Sequence, residues 1–281
     1  MKKVRVEAST KKDRTSEIFG NPMSKKVIRK AQKSKQKNQK KYGDDSKVNY
    51  QCIIRDNSCI GGPLGVKNVV VTRKEGKGSF DEEKGVIVGN IRMGFGHYRI
   101  SMAIASAAHA LGYTPYWMDL NSYPETTCTK LISAQNELYS LGSRISQKSK
   151  LFNKFVWEPV NYEGFRQLSY NAADQKNAEL MAPVYHSVPK DIPVIATHVW
   201  PAQAAVHAGM KHVVNAIPDN WPMALHYAQG SLHTVQTHYA YQGYRIGNGM
   251  MKDKVVQAMP PQDLMYTCLL YTSPSPRDPK T

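Results

Sequence analysis

Between Gly85 and Leu120 the sequence reads as strand, glycine-bearing loop, helix and strand, and this order constrains the fold more than any other feature. Gly85–Ile91 (GVIVGNI) is a short, nearly continuous apolar run. A strand apolar on both faces must be covered on both, as happens in a parallel sheet between two layers of helices. The loop Arg92–Gly96 follows. Tyr98–Leu111 then places Ile100, Ala103, Ile104, Ala107, Ala108 and Leu111 at helical spacing, with Gly112 at the C′ position. Tyr113–Leu120 (YTPYWMDL) is the second strand, which completes a first βαβ unit of a doubly wound sheet.

The alternation continues downstream. Two helices are predicted over Glu125–Lys150 and Gly164–Val184, with narrow apolar faces (Leu131, Leu138, Leu141, Ile145; Leu168, Ala172, Leu180). Ile192–Thr197, His212–Ile217 and Leu232–Gln236 read as strands. Ala202–Ala208 reads as a short helix with Pro201 at its first position, and Tyr239–Met250 as a further helix. The predicted fold class is α/β: a Rossmann-like parallel sheet flanked by helices, without internal repeats.

Charge divides the chain. It has 281 residues and a net charge of +16, of which +11 lies in the first fifty. Residues 1–48 read as a basic, disordered tail, because Ser24–Lys41 offers only Val27, Ile28 and Ala31 as apolar anchors. Residues 49–84, with the strand-like Val66–Thr72, read as a small β-rich flank, and 85–267 as the main domain. The basic arm suits RNA, DNA or an anionic membrane surface. It lacks interleaved aromatics, so a solubilising extension is favoured over it and nucleic acid is not expected as a partner. Met1–Lys41 is polar throughout and gives no secretory signal, and no run approaches the ~20 apolar residues of a membrane-spanning helix. Cys52, Cys59, Cys128 and Cys268 form no CxxC pair, which favours a reducing, cytoplasmic setting. Cys268–Asp278 (CLLYTSPSPRD) resembles translated sequencing-adapter read-through, so 268–281 is expected to be artefactual; a genuine Ser/Pro-rich tail is the alternative.

Three segments carry candidate chemistry. Met93-Gly94-Phe95-Gly96-His97 joins a strand to a helix, where glycines permit a tight turn and the helix N-terminus favours a phosphate, carboxylate or anionic headgroup. A simple glycine turn explains Gly94, Phe95 and Gly96 equally well, since neither the dinucleotide pattern nor a P-loop is complete. His97 would be neutral there and able to accept a proton, or would merely cap its helix. Thr197-His198-Val199-Trp200-Pro201 and Ile217-Pro218-Asp219-Asn220-Trp221-Pro222 each follow a strand. With parallel strands, His97, His198 and Asp219 share the carboxyl edge of one sheet. Trp117, Trp200 and Trp221 could line an acceptor pocket or pack in the core. Seven of the nine histidines lie between His186 and His238, but the pairs His207/His212 and His233/His238 are five apart, and no HExxH or cysteine pair accompanies them, so no metal site is expected.

At these residues the chain resembles GT-B glycosyltransferases. The strand, the loop Gly94-Phe95-Gly96-His97 and the alanine-rich helix are similar to the start of monogalactosyldiacylglycerol synthase and of the glycosyltransferase that completes the peptidoglycan lipid precursor. Phe95 stands where those families have glycine. Ile195-Ala196-Thr197-His198 and Ala216-Ile217-Pro218-Asp219 resemble two later strand ends, and the likeness spans about Gly85 to Met250. It implies inverting sugar transfer from a nucleotide donor, such as a UDP-sugar co-substrate, to an acceptor hydroxyl, with no further cofactor. His97 or Asp219 would be the general base. Gly94, Phe95, Gly96, His198, Trp200, Asn220 and Trp221 would bind substrate. The acceptor would be lipid-linked in the cases resembled, which implies peripheral contact with the inner membrane face. The chain would be the acceptor-binding half, truncated near residue 267. Two other readings stand beside it: a non-catalytic protein whose basic arm binds nucleic acid or membrane, and a nucleotide-sugar epimerase-like enzyme.

Overall fold

The computed structural model describes residues 13–74, 76, 79–246 and 259–267. An eight-stranded sheet is built from β1 (Gln51–Asp56), β2 (Lys67–Thr72), β3 (Gly85–Asn90), β4 (Thr114–Asp119), β5 (Val194–Ala196), β6 (Val213–Ala216), β7 (Leu232–Val235) and β8 (Leu264–Tyr266). Their order is β8-β7-β6-β5-β3-β4-β2-β1, and every pairing is parallel except that of β1 with β2. All six residues of β3 are buried, as its apolar run requires. β3 sits at the switch point: the chain leaves it to form β4 on one side and returns later as β5 on the other. Ligands enter open α/β sheets at such a crevice, at the carboxyl ends of the strands.

Six helices of nine or more residues accompany the sheet among the described residues: α1 (Lys25–Tyr42), α2 (Phe95–Ala110), α3 (Thr127–Lys148), α4 (Leu168–Met181), α5 (Val199–His207) and α6 (His238–Ile246). The α/β class and the parallel sheet between helices are therefore as the sequence indicates. Between α3 and α4 the chain passes through a short helix (Lys150–Phe152) and two π-helical turns (Asn153–Trp157 and Val160–Gly164).

Four expectations need correction. Residues 13–48 are not a disordered tail. Ser24 caps α1 by accepting the Val27 N–H, and Lys, Gln, Arg and Ala are good helix formers. α1 lies on α4 with Ala31 buried, and polar groups make up the rest of the seam: Lys35 pairs with Glu179 (2.6 Å), Asn38 donates to Asn177 (3.0 Å), and Asn177 donates to Ser34 (3.2 Å). The remainder of the tail, residues 1–12, lies outside the described residues, as do the C-terminal segment 268–281 and the end of the helix expected to reach Met250. Residues 49–84 are not a separate flank, because β1 and β2 extend the main sheet through the β2–β4 pairing. Nor does α4 have a narrow face. Nine of its fourteen residues are buried, including Asn171, Asp174, Gln175 and Asn177. Pro201 stands at the third position of α5, still within the first turn, where its missing N–H costs no hydrogen bond.

Candidate functional site

A cavity of ≈ 800 Å³ opens at the carboxyl edge of β5 and β6. His97, His198, Trp200, Asp219 and Trp221 all line it, so these five candidates are brought together from three strand ends. The others fall elsewhere. Gly94 and Phe95 line a second cavity of ≈ 650 Å³ beside Arg92, Trp117 and Asp119. Phe95 is 80% exposed, so its bulk projects outward and does not fill the loop. Gly94 adopts φ +130° with open space around a would-be Cβ, so glycine is needed there for its backbone angle. Gly96 lines neither cavity, and Asn220 accepts a hydrogen bond from the Thr237 hydroxyl.

His97 and His198 are fixed in complementary tautomers. His97 Nδ1 lies 2.6 Å from the Thr197 carbonyl oxygen, which can only accept, so Nδ1 carries the proton and Nε2 keeps the lone pair. Ser101 braces this contact: its hydroxyl donates to the His97 carbonyl (2.9 Å) and meets Thr197 Oγ1 (2.9 Å). His198 caps α5 by accepting the Trp200 N–H at Nδ1 (3.2 Å), so its neutral ring carries the proton on Nε2. The rings meet edge to face at 5.0 Å. Burial pushes the His97 imidazole below its ordinary range, partly offset by the Thr197 carbonyl and the Asp219 carboxylate. Burial, with His97 and His226 beside it, holds His198 well below that range. Neutral His97 was expected from the helix terminus, whereas the main cause is loss of solvent.

Asp219 is positioned by residues that the motifs do not reveal. His226 Nε2 lies 3.2 Å from Asp219 Oδ2, and its Nδ1 lies 2.6 Å from the Tyr244 hydroxyl. Burial raises the Tyr244 phenol, which therefore stays protonated and donates, leaving His226 to donate from Nε2 to the carboxylate. The His226 hydrogen bond holds the Asp219 carboxyl below the usual range. The turn bearing His226 is held in turn by buried amides. Asn171 donates to the Ala224 and Tyr227 carbonyls (2.8 Å each), Gln203 to that of Tyr227 (2.8 Å), and Asn215 to that of His226 (2.7 Å). Of the buried polar residues of α4, Asn171 and Gln175, which donates to the Tyr227 carbonyl (3.2 Å), serve this turn.

Asp174 is a second carboxyl in the lining. It accepts from Trp200 Nε1 (3.3 Å), and burial pushes its carboxyl up to about 7. Ser34, Asn38, Gln135, Tyr139, Trp157 and Asn177 line the same cavity. Trp157 is seated by Gly142 of α3, where a Cβ would lie 2.2 Å from the indole. Sequence reasoning had a signal for His226 alone, in the surplus of histidines. Asp174 and Asn177 carry no motif, and α1 was not expected to reach the site.

The paired histidines part company. His207 Nε2 meets Gln175 (2.9 Å), while His233 accepts the Ala228 N–H (3.0 Å) and its Nδ1 lies 3.0 Å from the Asp263 carbonyl. Among the described residues no group of three His, Cys, Asp or Glu is placed to hold a metal ion.

A family described as "Domain of unknown function (DUF6937)" matches residues 17–246, a span that includes α1 and every residue lining the main cavity. No curated protein and no solved structure matches the chain.

Proposed function

We propose the following for this chain, which belongs to the DUF6937 family: it is the acceptor-binding domain of a nucleotide-sugar-dependent glycosyltransferase of inverting type. The observation that carries the reading is His97. It is a neutral imidazole with Nδ1 tied to the Thr197 carbonyl, so its basic nitrogen is left over, and it lines a cavity at the switch point of a doubly wound sheet.

The chemistry follows from the tautomers. An acceptor hydroxyl in the cavity gives its proton to His97 Nε2 as its oxygen attacks the anomeric carbon of the donor. The bond from that carbon to the diphosphate breaks, and the nucleoside diphosphate leaves with the electron pair. The imidazolium formed on His97 is stabilised by the Asp219 carboxylate, whose charge already favours the protonated ring. Asp219, held below the ordinary carboxylate range by His226, is the weaker base of the two and is assigned the supporting role. His198, with a proton on Nε2, supplies a hydrogen bond to the acceptor. The donor is assigned to a second domain outside this cavity.

In the gene product that carries both domains, transfer from a panel of UDP-sugars should fall roughly 10²- to 10⁴-fold in kcat for His97→Ala, and less for Asp219→Asn. A protein that neither transfers sugar nor binds a nucleotide sugar in calorimetry overturns the reading.

A specific surface favours peripheral membrane contact as part of the same proposal. Leu138, Leu141, Ile145, Leu151, Phe155 and Val160 are exposed along α3 and the turns after it. Exposed Arg144, Lys148, Lys150 and Lys154 stand among them. An apolar ridge fringed with cations suits an anionic lipid surface beside the mouth of the cavity.

A further inference from the structure

The main cavity is electrically unlike the molecule that contains it. The chain has 38 Lys+Arg against 22 Asp+Glu, yet among the described residues no lysine or arginine lines the cavity, while two carboxyls, Asp174 and Asp219, do. Proteins bind phosphate and diphosphate through Arg, Lys or clustered N–H groups. A phosphorylated ligand would meet here two carboxyl groups and no cationic partner. The Arg166 guanidinium lies over the Trp221 ring at 5.5 Å and is not itself part of the lining.

The lining offers a different complement. Trp157, Tyr139, Trp200 and Trp221 supply aromatic faces. From α1 and α4, Asn38, Asn177 and Asp174 also line the cavity, and the buried Gln135 Oε1 has no partner among the described residues. A hydroxyl both donates and accepts, so a ring of hydroxyls can satisfy amides, a carboxyl and the His198 N–H together. An acyl chain would give no partner to the Gln135 oxygen or the His198 N–H, and a quaternary ammonium would give none to the N–H donor. A pyranose also presents an apolar C–H face to an aromatic ring.

We infer that this cavity takes an uncharged saccharide, stacked on the tryptophan-rich wall and read at its hydroxyls by Asn38, Asn177, Asp174 and Gln135. The inference rests on the transferase reading only in calling that saccharide the acceptor. It excludes an acceptor whose phosphate enters the cavity.

The test uses the whole chain, with tryptophan fluorescence and calorimetry as readouts. The probes are neutral methyl hexosides (gluco, galacto, manno and N-acetylglucosaminide) set against inorganic phosphate, UDP and choline. At least one hexoside should bind saturably, and its affinity should drop roughly tenfold or more in both Asn177→Leu and Trp157→Ala. Both variants are checked for an unchanged far-ultraviolet spectrum. Binding by none of the hexosides, or binding of phosphate, UDP or choline that displaces them, overturns the inference. Hexoside binding without transfer by the two-domain protein would remove the transferase reading and leave the ligand class standing. Transfer to a phosphorylated acceptor seated in the cavity would do the reverse.

Discussion

At the scale of single residues, the histidines fall into two kinds that the sequence alone does not separate. His97 and His198 end strands, which is visible in the sequence, but their tautomers depend on the Thr197 carbonyl and the Trp200 N–H, which only the fold brings near. His207 and His233 are structural, and burial pushes each down to about 4. An unfolded histidine titrates near ~6.5, so between that pH and about 4 the unfolded chain binds more protons than the folded one. Their contribution is therefore complete above ~6.5 and is lost as pH falls, by a few kcal/mol over the window. Urea midpoints measured from pH 7 to pH 4.5 should decline accordingly. His233→Gln, which keeps an acceptor for the Ala228 N–H but cannot titrate, should flatten the decline; an unchanged slope would contradict the assignment.

At the scale of elements, legibility followed the type of contact. β3 and α2 were readable because apolar burial leaves a period in the sequence. α1 was not, because its seam with α4 is one alanine and a row of amide and ion-pair contacts, a pattern that a hydrophobicity rule scores as solvent-facing. α4 misled for the same reason, its buried Asn171, Gln175 and Asn177 being hydrogen-bonded inside the protein. The site inherited both gaps, since Ser34, Asn38, Asp174 and Asn177 of its lining come from these two helices. If α1 is docked, Ala31→Leu should overpack the seam and cost about 1–3 kcal/mol, while Lys33→Leu on the exposed face should stay within roughly 0.5 kcal/mol. Thermal denaturation of the pair decides it, and equal effects would mean that the helix is not packed.

At the scale of the molecule, the ridge from Leu138 to Val160 and the cavity beside it lie on one side, so a membrane-bound orientation would bring the cavity mouth to the lipid surface. Sedimentation with phosphatidylglycerol-containing vesicles should capture the chain, and pure phosphatidylcholine should capture less, since each Lys or Arg near an anionic surface contributes ~1 kcal/mol. Leu151→Ser with Phe155→Ser should weaken capture roughly tenfold or more, given ~1.5–3 kcal/mol for burial of one such side chain. Equal capture of variant and parent would refute the ridge as the anchor. The α1–α4 pairing also has a consequence for biosynthesis. Lys35 and Glu179 are 144 positions apart. At ~5–20 residues per second, a ribosome needs on the order of ten seconds to make the second partner after the first. During that interval a segment with nine basic residues and no acidic one lacks its α4 partner. The cavity wall it supplies is thus finished late in synthesis, and the nascent chain carries an unneutralised polycation that polyanions of the translating ribosome can occupy until α4 arrives.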